Sequence, residues 1–101
     1  MALLGSVDIA PSVLQDRTDD IRELILDAMG EFGEKNYPSI IRRVRYAQDI
    51  QGLWYTRGDV MAVLAAVHGE TVAREKLVSI TEKFEGLLPR GLSSRPSPLG
   101  N

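Results

Sequence analysis

Apolar side chains recur every three to four positions through most of this chain. That spacing places them on one side of an α-helix, which turns about 100° per residue. Leu14, Ile21, Leu24, Ile25, Ala28, Met29 and Phe32 fall on one such arc and predict a first helix. Two starts compete for it: Ser12 with Gln15 three residues on, or Thr18 ahead of Asp19 and Asp20. Asp19, Asp20 and Glu23 suit the positive end of the helix dipole. Gly30 and Gly33 weaken the pattern and predict its end.

Pro38 opens a second predicted helix, because proline fits the first turn. Ile40, Val44, Ala47, Ile50, Gln51 and Trp54 share its inner face, and Gly52 and Tyr55 mark its approaching end. A third helix, about 58–67, is apolar all round from Val60 to Val67 and belongs in the middle of a bundle. Thr56 is its expected cap, answered by Asp59, and His68-Gly69 its stop, with Gly69 as the αL residue. The fourth begins near Glu70-Thr71, presents Ala73, Leu77, Ile80, Phe84, Leu87 and Leu88 on one face, and ends at Pro89. Period-two alternation is nowhere sustained. The fold class expected is all-α, a small four-helix bundle-like domain over residues 12–88. An N-terminal segment, 1–11, precedes it with Leu3, Leu4, Val7 and Ile9. A Pro/Ser/Gly-rich tail, 89–101, expected to be disordered, follows.

Composition narrows the function classes. The chain has 101 residues, 44% hydrophobic and 26% charged, with a formal charge of −2. A domain built mainly to wrap nucleic acid is basic, and this one is not. There is no cysteine, which removes thiolate chemistry, disulfides and cysteine-held metals. The start, Met1-Ala2-Leu3-Leu4-Gly5-Ser6, has no basic stretch before an apolar one, so the expected location is the cytoplasm. The run Val60–Val67 is far short of the roughly 20 residues a membrane span needs. A core this small barely offsets chain ordering, which makes a homodimer an expectation too.

Candidate chemistry is sparse. His68 is the single histidine, and beside Gly69 it reads as a partner for the last carbonyls of its helix. Asp16, Asp19, Asp20, Glu23 and Asp27 read as a solvated face rather than as paired acids and bases. No phosphate loop, nucleophile elbow or zinc-binding pattern is present, so neither a cofactor, a metal nor enzymatic activity is expected. Arg57-Gly58-Asp59 spells an adhesion tripeptide but falls in the first turn of a buried helix. The Ser-Arg-Pro-Ser-Pro run at 94–98 is read as a linker end rather than a peptide ligand or phosphorylation site.

Ala65 followed four residues later by Gly69 resembles the turn of a bacterial helix-turn-helix motif. Glu70 and Glu75 stand where that motif carries apolar residues, and the would-be recognition helix is nearly neutral.

Charge points instead to the second helix. Residues 37–58 hold four arginines against one aspartate, whereas residues 1–36 hold eight acidic residues against three basic ones. On one continuous helix, Arg42, Tyr46, Asp49 and Leu53 form an outer stripe opposite Ile40, Val44 and Trp54. Arg45 can pair with Asp49 one turn on. Arg, Tyr and Trp are enriched at binding hot spots. The expected function is therefore a non-enzymatic protein-interaction module. Arg42, Tyr46, Leu53, Trp54 and Tyr55 would meet an acidic partner or a second copy. The alternatives are that the N-terminal segment covers the stripe, or that the chain is a small DNA-binding regulator, using Arg42, Arg43, Arg45 and Arg57 on DNA phosphates or the degenerate helix-turn-helix.

Overall fold

A computed structural model describes residues 9–88. The expectations for Leu3, Leu4 and Val7, for the stop at Pro89, and for the tail lie outside these residues. Within them the chain is all helical: α1 (Pro11–Asn36), α2 (Pro38–Arg45), α3 (Ile50–Tyr55), α4 (Arg57–His68) and α5 (Glu70–Glu82). Single residues, Tyr37, Thr56 and Gly69, join three of the four junctions, so each helix must turn sharply onto the next.

Proline opens both α1 and α2, where its missing N–H costs nothing. Neither predicted cap of α1 is used. The helix starts at Pro11 after Ala10, without a side-chain cap or an acid in its first turn. Thr18 lies inside it, buried, its hydroxyl donating to the Leu14 carbonyl at 2.7 Å. The acidic cluster thus decorates the middle of α1 rather than neutralising its dipole.

α1 also runs past its predicted end. Gly30 takes φ 61° and ψ −163°, a conformation far from helical, yet helix resumes and continues to Asn36. Gly30 therefore redirects the helix instead of terminating it, and Gly33 lies within the resumed helix.

The largest departure concerns residues 38–55, which form two helices. α2 ends at Arg45, and α3 starts at Ile50, just after Asp49, whose carboxylate accepts from the Gly52 N–H at 2.9 Å. That is the action of an N-cap. From α1, Arg22 donates through Nε to the Val44 carbonyl at 3.3 Å and through a terminal nitrogen to that of Ala47. Carbonyls released at the end of α2 thereby gain a charged donor. Arg22→Ala is expected to destabilise the fold by about 1–3 kcal/mol, with Arg22→Lys recovering part of the loss. Urea denaturation of the three proteins checks this.

α4 and α5 form the hairpin at the centre of the packing, with α1 against both. Gly69 has the expected positive φ (87°), but its ψ of 159° lies outside the αL region. Thr56 takes the expected N-cap position of α4, with its carbonyl accepting from the Val60 N–H at 2.9 Å, but its side chain makes no capping bond there. Its hydroxyl closes α3 by donating to the Leu53 carbonyl at 2.6 Å. α5 ends at Glu82, earlier than predicted. A series of tight turns then carries Phe84, Leu87 and Leu88 into the core. Every helix contributes to that core: Ile21, Ile25 and Met29; Ile41 and Val44; Ile50 and Leu53; Val60, Val63 and Leu64; Ala73, Leu77 and Ile80. Leu24 and Phe32, placed in the first stripe, are exposed. Among the described residues no helix is long and apolar enough to cross a membrane.

Candidate interaction surface

The break between α2 and α3 takes the predicted stripe apart. A helix that stops and restarts resets the direction in which its residues point, so spacing counted across the break is lost. Arg42 and Tyr46 stay together on the outside of α2, one turn apart, with the Tyr46 N–H donating to the Arg42 carbonyl at 3.0 Å. Leu53 does not join them: it is 0% exposed, in the middle of the core. Contrary to expectation Leu53 is not a partner contact, because solvent cannot reach its side chain. Asp49 is committed to its cap, so it does not pair with Arg45.

Tyr55 stands out from the end of α3 and is 67% exposed, and Tyr46 is 69% exposed. Trp54 turns the other way. It is half-buried, with the Phe84 ring edge-on at 5.1 Å between centroids and the Arg57 guanidinium 3.4 Å above its own ring. Arg57 donates through Nε to the Trp54 carbonyl at 3.2 Å and through a terminal nitrogen to the Thr81 hydroxyl at 3.3 Å. It is 6% exposed, and burial pushes its pKa below the usual guanidinium value. This cation–π cluster escaped the sequence reading, although Trp54 and Arg57 lie at the three-residue spacing of helical neighbours. What spacing could not supply was Phe84 and Thr81, brought from the other end of the domain.

The remaining arginines sort by partner. Arg43 pairs with Asp59 of α4, and Arg45 with Glu34 of α1 at 3.3 Å. The excess of positive charge in residues 37–58 thus meets the acidic remainder within one chain. Arg42 is exposed and has no ion pair among the described residues. The tripeptide Arg57-Gly58-Asp59 begins with a buried arginine and ends with a paired aspartate, so it offers no free adhesive loop.

His68 is exposed at the end of α4, and its Nε2 donates to the Ala28 carbonyl of α1 at 3.2 Å. Its partner is thus a carbonyl two residues before the Gly30 break, not the end of its own helix. Among the described residues no group of three His, Cys, Asp or Glu gathers where it could hold a metal ion.

By fold this is a small all-helical domain whose outer α2 face carries an arginine and a tyrosine without side-chain partners among the described residues. Compared with family models, curated proteins and solved structures, it matches none.

Proposed function

We propose that the domain is a non-enzymatic protein-interaction module. It docks an acidic segment of a partner protein on the outer face of α2 through Arg42 and Tyr46, with Tyr55 as a further contact. One observation carries the reading. Of the three exposed arginines of α2, Arg43 and Arg45 face carboxylates and Arg42 has no acidic partner among the described residues, and it sits one turn from Tyr46, the most exposed of the large hydrophobic side chains. An unpaired guanidinium beside an open phenol is the pairing that binding hot spots favour. DNA binding draws less support, since Arg43 and Arg45 already face carboxylates and Arg57 is buried.

Arg42→Glu/Tyr46→Ala removes both groups at exposed positions, so the fold is expected to survive. Truncating a hot-spot side chain costs about 2 kcal/mol or more, roughly thirtyfold in affinity. Proteins that the parent captures from native extract, with binding that weakens as salt rises, are expected to be lost with the variant. Recovery of the same proteins by both would overturn the proposal. A concentration-dependent mass in sedimentation that the variant abolishes would reassign the face to a homodimer seam.

A further inference from the structure

A second surface is lined by none of Arg42, Tyr46 and Tyr55. Trp54, Thr81, Glu82, Phe84, Glu85 and Leu88 line a groove of about 230 Å³. Small-molecule sites generally span about 300–1,000 Å³, so this groove suits one or two side chains of a peptide better than a substrate. We propose that it docks this chain's own basic, proline-containing segment, residues 89–101.

Charge, chemistry and connectivity converge on that occupant. The open part of the floor is the half-buried Trp54, backed by the buried Phe84 and Leu88. Aromatic-lined grooves take up proline-rich chain because its extended conformation loses little entropy on binding. The rim carries Glu82 and Glu85, both exposed and without an ion pair among the described residues. Arg57 opposes them with a single charge already stacked on Trp54, so the rim stays acidic on balance.

Residues 89–101 supply the complement: Pro89, Pro96 and Pro98, Leu92 and Leu99, Arg90 and Arg95, and no acidic side chain. They also begin at the groove, since Leu88 is part of its lining. In extended form the segment reaches about 40 Å, at roughly 3.1 Å per residue, ample to lie along it. The other terminal segment, residues 1–8, has no basic side chain and cannot answer the two glutamates.

Trp54 is the chain's one tryptophan, so its fluorescence reports on the groove directly. In the full chain, Arg90→Glu/Arg95→Glu changes only the segment. It is expected to shift Trp54 emission to the red by several nanometres and to raise acrylamide quenching severalfold. Salt at about 0.5 M, where exposed pairs are screened, is expected to shift the parent the same way. Adding Glu82→Lys/Glu85→Lys to the arginine variant restores opposite charge and is expected to restore the emission. Superimposable parent and Arg90→Glu/Arg95→Glu spectra would overturn the proposal. So would a shift that appears only at protein concentrations where the sedimenting mass doubles, because the occupant would then belong to a second copy.

Discussion

Leu53→Asp is expected to abolish the folded state. Leu53 is fully enclosed, and its helix is only six residues long, so α3 is held by this side chain and Ile50 more than by its own hydrogen bonds. Leu53→Ala alone should cost about 2–5 kcal/mol in lost burial and cavity. Aspartate places a carboxylate in the apolar core, a penalty of several kcal/mol more. Domains of this size have on the order of 5–15 kcal/mol in total, so the two losses together consume it. Far-ultraviolet circular dichroism and thermal melting check this. A cooperative melt within a few degrees of the parent would mean that Leu53 is exposed, as one unbroken helix from 38 to 55 requires. Tyr46→Ala, beside the old stripe but in solvent, should leave the melt where it is.

Gly33→Ala is expected to destabilise the protein, although alanine outranks glycine in a helix by about 1 kcal/mol. A Cβ at position 33 would lie 2.9 Å from the Met29 Cβ and 3.4 Å from methyl groups of Ile41 and Val63. On a regular helix, Cβ atoms four residues apart are separated by about 5–6 Å. The compression comes from Gly30, whose positive φ bends the last turns of α1 back over the preceding one. Met29 Cβ is attached to backbone and cannot swing aside, so overpacking of about 1–3 kcal/mol is expected for alanine and more for valine. Chemical denaturation of the parent, Gly33→Ala and Gly33→Val gives the order. Equal or greater stability of Gly33→Ala would show that the chain does not fold back at Gly30. The two glycines work together: one supplies the bend, the other the room the bend removes.

That pair marks how far the pattern of residues carries. Both glycines were legible as a disturbance in the helix, yet bend and termination leave the same mark on a sequence. The last helix was the clearest case. Ala73, Leu77, Ile80, Phe84, Leu87 and Leu88 were all placed on one buried face, and all six are buried, although the helix itself stops at Glu82. Tight turns of three residues keep nearly the same side inward as a helix does, so the burial pattern survived an error in the element. The α2–α3 region had no such protection. The four residues between Arg45 and Ile50 reset the phase, which sent Leu53 inward and left Arg42 and Tyr46 outside. Asp49 ahead of Gly52 was a legible cap signal, masked by apolar spacing that ran through it without interruption.

The all-helical character and most core positions follow from residue order alone, because helical periodicity and proline placement act over a few neighbouring residues. Which arginines of α2 meet carboxylates, where α2 gives way to α3 and what surrounds Trp54 were decided only by tertiary structure. Arg22 must cross from α1 to satisfy two carbonyls, Glu34 and Asp59 must arrive from other helices, and Phe84 must close over an indole thirty residues earlier in the chain. No local pattern encodes those meetings, since each exists only once the helices have packed.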